Sequence, residues 1–205
     1  DKLLIVMRHG ERADLVDNPN QILHEYDPEL TINGINQAHS IGTQLQDLCN
    51  NKKVLIVSSP FARTLMTSLS LIKGTNTIPD LIIDTGYSEY LNQNSFNYCP
   101  KPHLAIYNNN LKIFDDLPDI DINRTKDDFP IYPESINQCI QRYKNTLKST
   151  LDQYRESYDI IIVVTHGYGV YAICEHFEHD VWDVDYCYTY IFNTDGTYIK
   201  NLKPN

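Results

Sequence analysis

Two histidines stand in the same local setting. Each follows an apolar run and precedes a glycine: Leu3-Leu4-Ile5-Val6-Met7 leads into Arg8-His9-Gly10, and Ile160-Ile161-Ile162-Val163-Val164 into Thr165-His166-Gly167. A neutral imidazole is a nucleophile and a proton carrier. Arg8 and Arg12 flank the first histidine, and an arginine offers a rigid fork of donors that fits a phosphate-type oxyanion. Arg63 and Glu89 each lie a few residues past another apolar run. These types suit one chemistry, phosphoryl transfer to a histidine.

The elements that must position these groups are legible as runs and periods. Short unbroken apolar runs read as strands buried on both faces of a parallel sheet. Four are present: 3–7, 54–57, 81–83 and 160–164. All four chemical groups fall past the C-terminal end of a run, the edge where open α/β sheets bind ligands. Thr31 reads as the N-cap of a helix with Ile35, Ala38, Ile41, Leu45 and Leu48 on one face. Gly34 in its first turn costs about 1 kcal/mol against alanine, which implies close packing there. Ser59 reads as a second N-cap with Pro60 at the first helical position, placing Arg63 in the first turn. Exposed N–H groups and Arg63 together make an anion site there. A long amphipathic helix is expected over 134–158 and another over 168–177. A strand at 186–192 then turns through Asp195-Gly196 into a hairpin partner at 198–202.

From Tyr90 to Pro133 periodicity is lost, so 90–133 reads as a lid or insertion. Its polar loop chemistry centres on Asn108-Asn109-Asn110, and Asn18-Pro19 marks an earlier loop. Tyr87, Tyr90, Phe96, Tyr98 and Tyr107 either line a pocket or anchor the insertion to the core. The expected architecture over residues 1–205 is one α/β domain. It has a mostly parallel central sheet flanked by helices, an irregular insertion and a C-terminal hairpin.

Composition narrows the partners. The 205 residues are 41% hydrophobic and 21% charged, ordinary globular values. A net charge of −10 argues against nucleic acid or an anionic membrane as partner, so a phosphate site must build its positive field locally. Five dispersed cysteines, Cys49, Cys99, Cys139, Cys174 and Cys187, suggest a reducing, cytoplasmic setting. The opening aspartate suggests a trimmed or processed N-terminus. Cys174, His176 and His179 lack the spacing of a closed metal site, so no metal ligand is expected there.

With these residues in place, the chain resembles the histidine phosphatase superfamily, the phosphoglycerate mutase-like fold. The resemblance rests on Arg8-His9-Gly10-Glu11-Arg12-Ala13-Asp14, Asp27-Pro28-Glu29-Leu30-Thr31, Ser58-Ser59-Pro60 with Arg63-Thr64, Gly86-Tyr87-Ser88-Glu89-Tyr90 and Thr165-His166-Gly167. The opening motif is most similar to the suppressor of T-cell receptor signalling type of phosphatase domain. The mutases of the superfamily carry serine where Arg12 stands, and its acid-phosphatase branch carries proline where Asp14 stands. The resemblance therefore implies a metal-independent, cofactor-free phosphomonoester hydrolase with His9, Glu89 and His166 catalytic and Arg8, Arg12 and Arg63 on the phosphate: His9 attacks phosphorus, the three arginines and His166 hold the oxygens, and Glu89 handles the leaving-group proton. It implies a phosphorylated small molecule or a phosphoprotein, phosphotyrosine included, as substrate, and a possible homodimer. Two alternatives stand beside it: mutase-type phosphotransfer between phosphoglycerates, and a non-catalytic phosphate-recognition module.

Overall fold

Strand β1, Leu3–Arg8, lies in the middle of the sheet with its inner four residues buried. The computed structural model describes residues 2–16, 25–108, 122–126 and 128–205. The Asn18-Pro19 loop, and Asn109 and Asn110 of the insertion, lie outside the described residues.

From β1 the chain runs through helix α1 (Ile32–Cys49), β2 (Val54–Ser58), α2 (Ala62–Thr75), β3 (Asp80–Asp84) and β4 (Ile122–Lys126). It returns through α3 (Ile136–Tyr154), β5 (Ile160–Thr165), α4 (Gly167–His176), β6 (Thr189–Asn193) and β7 (Tyr198–Leu202). The strands form one sheet in the order β4-β3-β2-β5-β1-β6-β7. β1 to β5 are parallel to one another, β6 pairs antiparallel with β1, and β7 pairs antiparallel with β6 as the expected hairpin.

Alternate residues of the central strands sort onto the two faces. Leu4, Val6, Leu55, Val57, Ile161 and Val163 pack against α3 and α4, with Tyr143, Leu147 and Ile173 among their partners. Ile5, Met7, Ile56, Ile162 and Val164 pack against α1 and α2, with Ala38, Ile41, Leu45 and Leu69. Burial on both faces explains why these runs are apolar without alternation.

Several boundaries differ from the sequence reading, and one strand was not expected. Helix α2 begins at Ala62, with Phe61 as N-cap and no capping side chain of its own. Ser59 is therefore not the cap; the buried carboxylate of Asp27 accepts the Ala62 N–H at 2.7 Å from a distant loop. Helix α3 begins at Ile136, because Ser135 and Gln138 form a capping box there. Strand β6 begins at Thr189, leaving Tyr186 in the preceding loop. The insertion contributes an edge strand, β4, parallel to β3. Its Ile-Asn-Arg-Thr-Lys sequence has no apolar run to signal it.

The insertion is anchored by a third cluster, in which Phe96, Leu104 and Ile106 pack on Tyr26, Phe61, Leu65 and Ile83. Of the aromatics singled out above, Tyr87 and Phe96 are buried, Tyr107 packs on Phe129, and Tyr98 is largely exposed.

Candidate active site

Strand register brings the two histidines together. Arg8 pairs with Thr165 across β1 and β5, so His9 and His166 leave adjacent parallel strands side by side. The His9 N–H donates to the Thr165 carbonyl at 2.9 Å, which carries the register one residue further. Their ring centroids are 5.4 Å apart, edge to face. The turn after His9 depends on glycine. A Cβ on Gly10 would stand 2.5 Å from the Gly34 carbonyl oxygen, and one on Gly34 2.5 Å from that of Glu11. The close packing expected at Gly34 is therefore contact between α1 and the residues that follow the nucleophile.

His9 is 1% exposed, and its Nδ1 lies 2.8 Å from the Gly10 carbonyl. A carbonyl only accepts, so Nδ1 carries the proton and Nε2 keeps its lone pair. Burial first, then Arg63, His166 and Arg8, hold the imidazole well below its ordinary range. It stays neutral, as a nucleophile must.

The guanidiniums converge on the same place. Arg63 enters from the first turn of α2, is 1% exposed, and lies 4.5 Å over the Phe61 ring. Its Nη2 donates to Glu89 Oε2 at 3.1 Å. Arg8 donates through Nη1 to the Val184 carbonyl at 2.6 Å and lies 4.4 Å over the Tyr186 ring. Arg8 Nε and Arg63 Nε and Nη1 are buried without a hydrogen-bond partner among the described residues. A buried, charged N–H left unpaired is costly, so three of them in one place call for an anion. Arg12 lines the same pocket, its Nε and Nη2 held by the Asp14 carboxylate at 2.9 and 2.7 Å. Asp14, the position where the acid phosphatases differ, thus aims Arg12.

Glu89 follows β3 through a short 3-10 turn, Thr85–Tyr87. Its Oε2 lies 3.1 Å from Arg63 Nη2 and 3.2 Å from His166 Nδ1. Arg63 Nη2 also reaches Nδ1 at 3.3 Å, but a carboxylate repels a ring lone pair, so we place the His166 proton on Nδ1, with Nε2 accepting from the Ser59 hydroxyl at 2.8 Å. Burial pulls the His166 imidazole down to about 4, against the pull of Glu89. Burial also pushes the Glu89 carboxyl up, but the His166 hydrogen bond and Arg63 prevail and hold it well below its ordinary range. His166 was expected on phosphate oxygens; here both its ring nitrogens already have protein partners.

A further layer was not legible in the sequence. Arg142 of α3 donates to the carbonyls of Gly86 and Ser88 through Nη1, at 2.7 and 2.9 Å, and to that of Glu89 through Nη2 at 3.1 Å. It pairs with the buried Glu134, whose Oε1 also accepts the Leu91 N–H at 3.0 Å. Tyr143 donates to the Ser88 carbonyl at 2.6 Å. The backbone on both sides of Glu89 is thus clamped from α3. The only signal was a charged pair eight residues apart at the start of an amphipathic helix, which reads as an ordinary solvated face.

Atoms of His9, Glu89 and His166 lie within 4.8 Å of one another, the one such trio among the described residues. A divalent cation there would meet the Arg63 guanidinium that already touches Glu89, so the arrangement suits an anion better. Cys174 is buried, and His179 stacks on Tyr198 at 3.9 Å; neither joins a metal cluster.

The profile of the histidine phosphatase superfamily (branch 1) matches residues 4–196. The chain belongs to the histidine phosphatase superfamily. No curated protein matches it. Among solved structures it is similar to the ecdysone phosphate phosphatase of the silkworm Bombyx mori in complex with tungstate. The TM-score is 0.67 at 16% identity, covering 100% of this chain and 93% of that one. It is also similar to phosphoserine phosphatase of Entamoeba histolytica in complex with 3-phosphoglyceric acid, with TM-score 0.60, 20% identity, and 100% and 97% coverage. A third is the mycobacterial glucosyl-3-phosphoglycerate phosphatase in complex with VO3, at TM-score 0.60, 16% identity, and 99% and 97% coverage. At these identities the likeness is one of fold. Among the described residues no helix is long and apolar enough to cross a membrane.

Proposed function

We propose that this histidine phosphatase hydrolyses phosphomonoesters, without a metal, through a phosphohistidine on His9. The observation that carries the reading is the set of buried, unpartnered nitrogens on Arg8 and Arg63 beside a neutral imidazole. His9 Nε2 attacks phosphorus in line while the bond to the ester oxygen breaks. Arg8, Arg12 and Arg63 hold the equatorial oxygens, where negative charge is spread. The phosphoryl group also competes with Glu89 for Arg63 Nη2 and the His166 Nδ1–H. As it takes over these donors, and adds its own negative charge, Glu89 loses what kept it ionised and gains affinity for a proton. It then protonates the departing oxygen. In the second half Glu89 takes a proton from water, the water oxygen bonds to phosphorus, and the P–N bond breaks to release inorganic phosphate. The opening motif, similar to the suppressor of T-cell receptor signalling type, supports phosphoproteins as well as small phosphate esters as substrates.

The test is turnover of an aryl phosphate together with rapid quench of the reaction into alkaline detergent. An acid-labile, base-stable phosphoenzyme is expected, absent in His9→Ala, which should also lose turnover. Near wild-type activity in His9→Ala would refute the nucleophile. Activity should survive exhaustive chelation; a strict divalent requirement would refute metal independence.

A further inference from the structure

The site described above accounts for the phosphate end of a ligand but not for the rest of its pocket. That pocket encloses about 490 Å³, within the usual range for a small-molecule site. Beyond the guanidiniums and Glu89, its wall is dominated by Tyr26, Tyr90, Phe96, Tyr168 and Tyr171. Two edge-to-face pairs stiffen it: Tyr26 with Phe96 at 5.3 Å and Tyr90 with Tyr168 at 5.1 Å. Tyr168 and Tyr171 remain 46% and 41% exposed, on the first turns of α4. One charged residue stands among these rings, and it is an acid, Glu25. The Tyr98 hydroxyl donates to its Oε1 at 3.3 Å. Among the described residues, no lysine or arginine lines the pocket outside the phosphate-binding trio.

Such a wall discriminates. Aromatic faces reward a flat or apolar alcohol group. A second anion on the substrate would find no further cation among the described residues and would face the Glu25 carboxylate at the pocket rim. We propose that the pocket takes phosphomonoesters of aromatic or apolar alcohols, and that Glu25 with Tyr168 sets this choice by turning away substrates that carry a second negative group. The proposal rests on the phosphatase reading and narrows it to one chemical class.

The experiment compares two esters of alkyl alcohols, so that leaving-group acidity does not decide the outcome: 2-phenylethyl phosphate and 3-phosphoglycerate. The wild type should favour the first in kcat/KM by about a hundredfold. Glu25→Lys should narrow that ratio by about tenfold through faster turnover of phosphoglycerate. Tyr168→Ala should raise KM for the phenylethyl ester by about tenfold and leave KM for glycerol 2-phosphate within a factor of about two. Equal use of the two esters by the wild type, or a ratio indifferent to Glu25→Lys, would overturn the proposal. Because both side chains lie at the rim, these variants should keep the wild-type melting profile. If wild type releases phosphate from none of these esters or from an aryl phosphate, the phosphatase reading itself fails; if it releases phosphate without the preference, only the substrate class fails.

Discussion

The Ser59 hydroxyl and His166 Nε2 lie 2.8 Å apart, bridging 107 residues of chain. Ser59 follows the end of β2, and its N–H donates to the Val164 carbonyl, so the sheet fixes where the hydroxyl points. By donating to Nε2 it keeps the His166 proton on Nδ1, facing Glu89. Ser59→Ala should lower kcat/KM on an aryl phosphate by about tenfold, the worth of one buried hydrogen bond. Steady-state kinetics would check this; an unchanged kcat/KM would remove Ser59 from the site's workings.

Protonation of the histidines should set the acid limits of activity and of stability. His166 takes up a proton at about 4 in the folded protein and at the ordinary 6.5 in the unfolded chain. Below 6.5 the unfolded state binds the proton first, so this stability is full above that pH and is lost as pH falls toward 4. The loss from His166 between pH 7 and 5 is about 2 kcal/mol. His9, also held low, acts in the same sense. Asp27 acts in reverse: burial lifts it to about 6 from 3.8, so it favours the folded state as pH falls through that window. Urea unfolding at pH 7 and pH 5 should show a net loss in wild type and a steeper one in Asp27→Asn. Activity should persist at pH 6.

Arg142 should matter to both fold and chemistry. Removing it would leave the Glu134 carboxylate, 5% exposed, without its ion-pair partner. Arg142→Met should cost about 3–5 kcal/mol in chemical denaturation. Adding Glu134→Gln should recover part of that stability, because the unpaired charge is gone. Activity should not recover, because the Gly86 and Glu89 carbonyls would still lack the Arg142 donor and Ser88 would keep only that of Tyr143. Full recovery of kcat in the double variant would mean that the clamp does not position Glu89.

Glu89→Gln tests the acid. Alkyl phosphates need a proton on the departing oxygen, whereas p-nitrophenolate leaves without one. The substitution should slow an alkyl ester by about a hundredfold or more, and the nitrophenyl ester much less at the phosphorylation step. Pre-steady-state bursts separate that step from hydrolysis of the phosphoenzyme. Equal losses in the burst rates would assign the proton to another group.

What the sequence discloses here is the part built from local rules. Unbroken apolar runs give β1, β2, β3 and β5, and the residues just past them are the ones that meet: His9, Arg63, Glu89 and His166. Strand ends place those residues, and the register of adjacent parallel strands does the rest. Contacts made across long stretches of chain leave no such trace. Ser59 in front of a proline looks like a helix cap, yet Asp27, 35 residues away, caps that helix. Arg142 looks like one more charge on a solvated helix face, yet it holds three carbonyls. β4, at the sheet edge, has one apolar residue, Ile122, and so no run to mark it, and Tyr186 belongs to the loop over Arg8 rather than to β6.

The guanidinium nitrogens of Arg8 and Arg63 are buried and aimed before any substrate arrives. Preorganisation of that kind does not distinguish the ester from the free anion it yields. On the proposed reaction the product should therefore compete for the same seat, and turnover should slow as inorganic phosphate accumulates. In a compartment rich in phosphate, the concentration of that anion governs the working rate of the enzyme, alongside the supply of ester.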